Sequence, residues 1–503
     1  MLKGYATVAG TERFAAAHPA VSYQLLGNTG LHVSSAGFGG YRIDTGVPIF
    51  QESLTRALNK GINLIDTSAN YADGGSEELV GQVINRLDRN GQCQRDELIL
   101  VTKGGYLQGS NYQLSQERKE AGNPYPDLVE YMSDLEHCVH PDFLADQITR
   151  SLRRLDVETI DVYLLHNPEY YLSWAKNQHL PLDEARNEYY RRLQLAFQYL
   201  EREVDRGRIR AYGVSSNSFP YAAAHPEFTN LSTCWELASR LRVKHHFQVI
   251  QLPMNLLETG AATQFNQPKG QTVLEFARQH QLGVLINRPL NAYYQNNLRR
   301  LADIPEPDYV SPSAVDARIA NLVAQEVTLH RDILPTLEVT ADVQDQLGQM
   351  LSTGQALDGY WLGINNYQRW LETRSGYLIP RINSALRFLE QIKKQPEGLD
   401  GWIEAYIQAA NSTFEAITAY YQEQALDEAE QLKATVKGIE PDWAKAETLS
   451  QLAIRALRST AGVSSVLVGM RRPAYVDDVL AEMLHPVPIA DRTEAWTKVL
   501  NTL

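Results

Sequence analysis

The chain has 503 residues, a formal net charge of −13 and 44% hydrophobic residues. This length predicts one large domain with a sizeable addition, and the hydrophobic content allows a buried core, which argues against a disordered chain. The negative charge would repel a phosphate backbone, so nucleic acid is not an expected partner.

Short apolar runs alternate with amphipathic segments from about residue 31 onward. In the amphipathic segments apolar residues recur at helical spacing, as in Phe50, Leu54, Ala57 and Leu58. The predicted strands, in chain order, lie at 33–40, 62–68, 97–105, 159–166, 208–214, 247–253, 283–289 and 463–469. The predicted helices lie at 50–61, 77–87, 142–155, 193–204, 234–243, 273–279 and 449–459, and one more begins at Pro473.

This alternation predicts the fold class. Continuously apolar strands joined by helices are typical of a parallel sheet that is covered on both faces. Eight strand–helix units favour a closed barrel, because an open doubly wound sheet rarely has so many. We therefore predict an α/β fold, a (β/α)8 TIM barrel, formed by residues 22–290 and completed by residues 443–503.

Residues 291–442 interrupt the alternation after the seventh predicted strand. Apolar residues at helical spacing predict an inserted all-helical subdomain there. The faces that carry this prediction comprise Ile319, Leu322, Val323 and Val327; Ala385, Leu386, Leu389 and Ile392; and Trp402, Ile403, Tyr406, Ile407, Ala410, Phe414, Ile417 and Tyr421. A smaller insertion, 106–140, follows the third strand, and the tyrosine-rich segment 169–190 is expected to be a loop beside a substrate pocket. The insertions 106–140 and 291–442 both leave from carboxyl ends of strands, which form the active-site face of such barrels. The insertion 291–442 is therefore expected to stand over or beside that rim and to shape substrate access.

Four polar residues lie at or just beyond the ends of predicted strands, namely Asp66, Tyr71, Lys103 and His166. In a parallel barrel these positions share one rim, so the side chains can converge. A carbonyl reduced by hydride needs a proton donor, which a tyrosine can supply when a lysine cation brings its pKa towards the working range. Aspartate can hold the lysine, and histidine can hydrogen-bond the substrate oxygen. Taken singly, each of these residues is more often a cap, a surface cation or a packing residue.

Six segments together resemble the aldo-keto reductases. They are GLHVSSAGFGG, NLIDTSANY, LILVTKGG, SLRRLDVETIDVYLLHNP, IRAYGVSSN and VSSVLVGM, and they follow one another in the order of that family. The resemblance covers roughly residues 22–290 and 443–485. It implies that Asp66, Tyr71, Lys103 and His166 are the catalytic residues and that the chain binds NADP(H).

The resemblance also implies contacts to the nicotinamide end of the cofactor. The expected contacts are Gly39, Gly40, Tyr41, Asp66, Ser215, Ser216, Asn217, Gln251, Asn287 and Arg288. The segment GVSSN has one serine more than the common form of the family, so which two of its polar residues act stays open. Asn287 stands where the family usually stacks an aromatic or similar side chain on the nicotinamide.

In the segment after the eighth strand, the resemblance implies contacts to the adenosine end of the cofactor. Those residues are Gly469, Met470, Arg471, Arg472, Tyr475 and Asp478. A helix start favours anions, and adjacent arginines can clamp a 2′-phosphate, which predicts a preference for NADPH. Asp478 falls where the family carries a carboxylate that faces adenine. A solvated helix start is the alternative.

The sequence thus indicates an NADPH-dependent oxidoreductase that reduces an aldehyde or ketone, a small-molecule carbonyl substrate. The alternative is a nucleotide-binding regulatory or assembly subunit that acts through its helical insertion, with a protein partner or as a homo-oligomer. No metal site is expected, because His137, Cys138 and His140 lack a second ligand pair. The three cysteines and the absence of a signal-like or membrane-spanning run predict a cytoplasmic protein without membrane contact.

Overall fold

The computed structural model describes residues 1–294, 297–392 and 398–503. The chain forms two compact units, one of Met1–Tyr294 with Thr435–Leu503 and one of Gln295–Ala434. Within the described residues, none of the helices combines the length and the apolar character needed to cross a bilayer.

The strands are β1 (Tyr23–Leu25), β2 (His32–Ser34), β3 (Ala36–Gly39), β4 (Leu64–Asp66), β5 (Ile99–Gly104), β6 (Tyr106–Leu107), β7 (Val129–Met132), β8 (Leu135–His137), β9 (Ile160–His166), β10 (Ile209–Ser215), β11 (Phe247–Pro253), β12 (Gly283–Asn287), β13 (Asn291–Tyr294), β14 (Asn297–Arg300) and β15 (Ser465–Val468). The helices are α1 (Val8–Ala17), α2 (Pro48–Asn59), α3 (Gly75–Arg89), α4 (Ser110–Glu120), α5 (Pro141–Leu155), α6 (Tyr170–Asn177), α7 (Leu182–Asp205), α8 (Leu231–Leu241), α9 (Gly260–Thr263), α10 (Val273–Gln279), α11 (Pro312–Thr328), α12 (Ala341–Met350), α13 (Thr353–Leu357), α14 (Tyr367–Thr373), α15 (Ile379–Glu390), α16 (Leu399–Ile439), α17 (Leu449–Arg458), α18 (Pro473–Met483) and α19 (Thr493–Thr502). Short 3-10 turns lie at Gly27–Thr29, Tyr71–Gly74, Arg95–Glu97, Pro268–Gly270, Leu334–Thr336 and Trp361–Ile364, and π-helical turns at Leu329–Ile333 and Arg374–Leu378.

Eight strands close into a parallel barrel, so the predicted (β/α)8 TIM barrel is confirmed. Around the barrel their order is β3, β4, β5, β9, β10, β11, β12 and β15, and β15 pairs with β3. The register between β10 and β11 shifts at Tyr212/Gly213. Glycine is required at that shift, because a Cβ on Gly213 would lie 1.6 Å from the carbonyl oxygen of Val249.

The amino-terminal segment closes the floor of the barrel. Strands β1 and β2 form an antiparallel pair, and Ala6, Leu26, Leu31 and Val33 join the apolar cluster that fills the barrel. One expectation is therefore wrong, and one element was missed. The predicted first strand at 33–40 is two strands, of which only β3 enters the barrel, and helix α1, which precedes residue 22, was not predicted.

Two segments beside the barrel mouth differ from expectation. The smaller insertion after β5 contains α4 and a three-stranded antiparallel sheet with the order β6–β8–β7. The segment 169–190, expected to be a loop, forms α6 and the start of α7. Four of its apolar residues, Tyr171, Leu172, Ala175 and Ala185, are buried, whereas Leu180 and Leu182 are exposed.

The second unit lies in the chain between β12 and α17 and is helical apart from strand β14, so it is not all-helical as predicted. It has its own apolar core, which includes Ile319, Trp370, Leu389 and Tyr406. Two residues assigned to buried faces are exposed instead: Val327 is 48% exposed and Ile407 is 39% exposed.

Candidate active site

The four predicted catalytic residues converge at the carboxyl ends of neighbouring barrel strands. Asp66 ends β4, Lys103 is the penultimate residue of β5, and His166 ends β9. Tyr71 opens the 3-10 turn that follows β4. Asp66, Lys103 and His166 are buried and Tyr71 is partly buried, which gives the group a low-dielectric setting.

Lys103 is the centre of the group. Its Nζ donates to Asp66 Oδ2 at 2.8 Å, to the carbonyl oxygen of Thr67 at 2.9 Å and to the hydroxyl of Tyr71 at 3.3 Å. An ammonium group has three N–H donors, so these contacts satisfy the buried cation completely.

The electrostatics of the group follow from burial and from the Lys103 cation. Burial raises the pKa of Asp66, and its contact with Lys103 opposes that rise. Burial alone would lower the pKa of Lys103, but Asp66 and Tyr71 outweigh it, so the pKa is raised and Lys103 stays protonated. Burial also raises the pKa of Tyr71 despite the opposing effect of Lys103. The expectation that lysine brings the tyrosine pKa below its ordinary value is therefore wrong for this structure, because desolvation is the larger effect.

His166 is held from several sides. Its Nδ1 lies 3.0 Å from Ser68 Oγ, and its backbone carbonyl accepts a hydrogen bond from His137 Nε2 at 2.7 Å. The ring packs edge-on against Tyr106 and Tyr71, with centroid distances of 4.7 and 5.9 Å. Burial and then the nearby Lys103 cation lower the pKa of His166 well below its ordinary value, so the imidazole is neutral at physiological pH.

Gln251 connects the catalytic group to the next strands of the barrel. Its Nε2 donates to Asp66 Oδ1 at 2.8 Å, and its Oε1 accepts from Ser215 Oγ at 3.2 Å and from Asn287 Nδ2 at 3.3 Å. Both oxygens of Asp66 are thus bound, one by Lys103 and one by Gln251. Asn287 Oδ1 is buried and has no hydrogen-bond partner among the described residues.

The segment after β10 presents Ser215 and Asn217, while Ser216 is engaged elsewhere. The Ser216 hydroxyl lies 3.1 Å from that of Ser218 and 3.2 Å from that of Thr229. The side-chain amide of Asn217 has no hydrogen-bond partner within the described part of the chain. Of the polar residues in GVSSN, Asn217 is therefore better placed to bind a ligand than Ser216 or Ser215, whose hydroxyl donates to Gln251.

The remaining nicotinamide-end predictions surround the same mouth. Gly39 ends β3, and at Gly40 a Cβ would lie 2.9 Å from the carbonyl oxygen of Asp66, so the backbone approaches the site closely. Tyr41 is 65% exposed, and its ring meets that of Tyr71 edge-on with a centroid distance of 5.2 Å. Arg288 pairs with Glu258 at 2.9 Å and so already has a carboxylate partner.

The adenosine-end predictions lie at the start of α18. Gly469 and Met470 follow β15, and Arg472 is the cap of α18. Neither the Arg471 nor the Arg472 side chain makes an ion pair or hydrogen bond among the residues that the structure covers. The half-buried Tyr475 lies in the first turn of α18.

The Asp478 carboxylate, expected to face adenine, has hydrogen-bond partners within the chain. It accepts hydrogen bonds from Ser450 Oγ at 2.5 Å, from Gln451 Nε2 at 2.9 Å and from Thr448 Oγ1 at 3.3 Å. These three residues form the cap and first turn of α17, so Asp478 ties α18 to α17.

Sequence reasoning did not identify several polar residues around His166. Ser68 and Asn70 lie between Asp66 and Tyr71 in DTSANY, and Glu169 follows His166 by three residues. Glu169 is buried, accepts the Asn217 N–H at 2.7 Å, and leaves Oε2 without a hydrogen-bond partner among the described residues. Burial raises the pKa of Glu169 to about 7. Their position in the sequence could have identified them, because all three residues follow strand ends on the active-site rim.

No metal-binding group of His, Cys, Asp and Glu occurs in the described ranges. Among His137, Cys138 and His140, which the sequence offers as metal ligands, His137 donates to the His166 carbonyl and His140 caps α5 through its side chain.

Comparison with known proteins identifies relatives of one family. A model described as "Aldo/keto reductase family" matches residues 38–301. An aldo-keto reductase of Bacillus subtilis is 25% identical over 272 residues, which cover 53% of this chain and 61% of the relative. The NADH-specific methylglyoxal reductase of Escherichia coli is 30% identical over 151 residues, which cover 28% of this chain and 40% of the relative. The chain therefore spans less than two thirds of the length of these curated relatives.

Solved structures of similar proteins include two with broad coverage. An aldo/keto reductase from Klebsiella pneumoniae, in complex with NADP and acetate, is 16% identical with a TM-score of 0.43, covering 94% of each chain. The glycerol dehydrogenase of Gluconobacter oxydans is 16% identical with a TM-score of 0.45, covering 96% of this chain and 95% of that one.

Proposed function

Because the chain belongs to the aldo/keto reductase family, we propose that it reduces an aldehyde or ketone to an alcohol with hydride from NADPH, and that Tyr71 is the proton donor. The observation that carries this proposal is the contact of Lys103 Nζ with both Asp66 and Tyr71 in a buried setting. A cation next to the phenol stabilises the phenolate that remains when the proton has moved.

In the proposed reaction, residues of this chain supply the proton and compensate the charge that hydride transfer creates. When bound, NADPH supplies the hydride that adds to the carbonyl carbon. The carbonyl oxygen gains negative charge as its π bond breaks, and the Tyr71 O–H transfers its proton to that oxygen. Lys103 stays protonated and compensates the phenolate, while Asp66 fixes the lysine. A proton from solvent restores Tyr71 after the alcohol leaves.

Residues of this chain fit an NADP(H) molecule at both ends. The carboxamide of the nicotinamide needs hydrogen-bonding groups, and Asn287 Oδ1 is a buried acceptor without a partner among the described residues. The Asn217 amide supports the same end. Arg471 and Arg472, at the start of the 11-residue helix α18, support binding of a phosphate by cation and helix dipole together. NADPH is therefore favoured over NADH.

A steady-state assay tests the proposal. We expect NADPH oxidation, followed by the loss of its absorbance, when the protein is given a panel of aldehydes and ketones. The alcohol product should form in equal amounts. NADPH binding without turnover on any member of the panel would contradict the proposed activity.

A second candidate function is a nucleotide-binding regulatory or assembly subunit. The observation that favours it is the separate apolar core of the unit Gln295–Ala434, which is larger than a substrate loop requires. The two functions are distinguished by the same assay combined with the mass of the protein in solution. A nucleotide-dependent change in assembly without carbonyl reduction would support the second.

A further inference from the structure

The turn that carries Tyr71 has an unusual backbone. The two residues after Tyr71, Ala72 and Asp73, have φ values of 49° and 51°, and Gly74 follows with a φ of 95°. Residues other than glycine rarely adopt this left-handed conformation, and alanine lacks the short polar side chain that lets aspartate tolerate it. Such a backbone persists only where surrounding contacts hold it. The shape of the turn after the proposed proton donor therefore depends on its partners.

Asp73 contacts the start of helix α4 in the smaller insertion. Its carboxylate accepts the Ser110 backbone N–H, at 3.1 Å to Oδ1 and 3.2 Å to Oδ2, and the Ser110 hydroxyl donates to Oδ1 at 2.8 Å. Ser110 is the first residue of α4, where the unpaired N–H groups and the helix dipole both favour a carboxylate. The residue before it, Gly109, has a φ of 54°, and a Cβ there would lie 2.7 Å from Asp73 Oδ1. Glycine thus leaves room for Asp73 to cap a helix that begins 37 residues later in the chain.

A second contact lies on the other side of Tyr71. The side-chain amides of Asn70 and Gln108 are joined by a hydrogen bond of 3.1 Å, and this bond is kept if both amides turn over together. Gln108 lies two residues before α4. Together with the Asp73 contact, it ties both ends of the turn to the same part of the smaller insertion.

The start of α4 is itself fixed to the barrel. The side chains of Asn111 and Gln147, which belong to α4 and α5, exchange two hydrogen bonds of 3.0 Å, and both side chains are buried. Further along α4, the Ser115 hydroxyl donates to the buried carboxylate of Glu136 on β8 at 2.6 Å. Ser110 directly precedes Asn111, so the point that Asp73 contacts is held in place by neighbouring elements.

We propose that Asp73 is a positioning residue, which anchors the turn after Tyr71 to the smaller insertion and so keeps the Tyr71 hydroxyl next to Lys103. The contact that it protects is the longest of the three hydrogen bonds of Lys103 Nζ, at 3.3 Å, so a small displacement of the turn would break it. The smaller insertion thereby takes part in placing the proton donor. The effect on turnover rests on the proposed reductase function, whereas the placement of the phenol does not.

NMR of the phenol tests its placement directly. The tyrosines of the full-length protein are labelled with 13C at Cζ, and the Tyr71 signal is assigned as the one lost in Tyr71→Phe. In Asp73→Ala we expect this signal to move, because the phenol leaves the Lys103 cation. Asp73→Asn still accepts hydrogen bonds and should bring the signal back to the wild-type position. A carboxylate that only stabilises α4 would leave the Tyr71 signal unchanged in Asp73→Ala, and that result would overturn the proposal.

Two further variants separate the anchor from general effects. Asp491→Ala is the matched control, because it removes an exposed carboxylate that accepts the Thr493 N–H at 3.0 Å at the start of α19, away from the turn. It should leave the Tyr71 signal in place. Adding Ala72→Gly to Asp73→Ala should return the signal towards its wild-type position, because glycine adopts a left-handed backbone without steric cost. A double variant with the same signal as Asp73→Ala would contradict the role given to the backbone.

Kinetics test the consequence for turnover. With a carbonyl compound that the wild type reduces, kcat should fall by roughly 10- to 100-fold in Asp73→Ala, because a misplacement of about 1 Å in a reacting group can cost about 100-fold. The dissociation constant of NADPH should stay unchanged, and Asp73→Asn should recover most of the lost turnover. Equal kcat values in the wild type and Asp73→Ala would overturn the role in turnover. If the wild type reduces no carbonyl compound, the proposed function fails, but the NMR measurement still decides whether Asp73 places the phenol.

Discussion

At the scale of single residues, the site depends on how a fully buried lysine is compensated. Lys103 is not exposed, and one carboxylate, one carbonyl and one phenol use its three N–H groups. Removing one partner of a buried pair leaves an uncompensated charge, which costs far more than an exposed ion pair contributes. The geometry therefore keeps the phenol of Tyr71 next to a permanent cation, and the first prediction concerns that phenol.

Replacing Tyr71 with Phe is expected to remove nearly all carbonyl reduction while NADPH binding stays close to normal. The hydroxyl acts on the oxygen only as negative charge develops there, so its loss should lower kcat by more than it weakens binding. Stopped-flow or steady-state turnover, together with an NADPH titration, measures the two effects separately. Tyr309→Phe is the matched control, because Tyr309 is exposed and belongs to the second unit, outside the catalytic group. Substantial turnover in Tyr71→Phe would show that another group donates the proton.

The second residue-scale prediction concerns Arg471 and Arg472. Replacing both with Ala is expected to weaken NADPH binding by about 1.5–3 kcal/mol, because a charge-assisted contact to the 2′-phosphate is lost. NADH has no such phosphate, so its affinity should change little. Dissociation constants of both cofactors in the wild type and the variant measure this difference, with Arg153→Ala on the exposed surface of α5 as the control. Equal affinities for the two cofactors in the wild type would disprove the assignment.

At the scale of secondary-structure elements, Glu326 links two helices of the second unit. It lies on α11, is fully buried, and accepts hydrogen bonds from the backbone N–H groups of Gly354 and Gln355 at the start of α13. Burial raises the pKa of Glu326 from 4.5 to about 7, and the two backbone hydrogen bonds only partly offset that rise. The folded unit thus binds the proton more tightly than the unfolded chain does.

The stability of this unit should therefore fall as the pH rises. The contribution of Glu326 is fully present below about pH 4.5 and is lost as the pH rises through about 7, because only the unfolded chain gains from ionising in that window. The expected loss is on the order of 3 kcal/mol. Hydrogen exchange of the α11 and α13 amides between pH 5 and 8 measures it.

Two variants check that Glu326 is the cause. Glu326→Gln does not titrate, so its exchange-derived stability should stay level across the window. Glu404→Gln, at an exposed position on α16, should keep the wild-type slope. A slope that survives in Glu326→Gln would assign the pH dependence to another group.

The elements also show what a single sequence can predict. The eight barrel strands could be found because each is an apolar run, and most are followed directly by an amphipathic helix. The split between β2 and β3 could not, because both halves are equally apolar and only their pairing partners differ. Helix α1 buries only Gly10, Thr11 and Phe14, so it has almost no apolar face to detect.

For the site, the rim residues were predictable from their positions at strand ends, but their partners were not. Gln251 and Asp66 are 185 residues apart in sequence, and nothing local indicates their hydrogen bond. The pKa of Tyr71 was predicted in the wrong direction, because the sequence does not show how deeply a loop tyrosine is buried and burial is the main cause of the rise. The same limit applies to Asp478, whose contacts with α17 depend on tertiary structure.

At the scale of the whole molecule, the boundary of the helical insertion can be placed by contacts. Residues just before it belong to the barrel unit, since the Tyr293 N–H donates to Glu258 and the Tyr294 hydroxyl donates to the Leu503 carbonyl. Residues after it do as well, because Trp443 donates to Ser459 and packs against Trp496 at a centroid distance of 5.0 Å. The segment to remove is therefore 295–434, which is shorter than the 291–442 expected from sequence.

Replacing residues 295–434 with a flexible Gly-Ser linker is expected to leave a barrel that folds and still binds NADPH. The reason is that all eight strands, the Asp66–Tyr71–Lys103–His166 group and the Arg471–Arg472 pair lie outside the segment, and the segment has its own core. Circular dichroism and NADPH titration check folding and binding, and the carbonyl panel and the mass in solution report what the segment does. A narrower or broader substrate range would assign it to substrate access, whereas a change of mass alone would assign it to assembly. A shortened protein that cannot fold would instead mean that the second unit is required for the barrel, and unchanged kinetics with unchanged mass would exclude both roles.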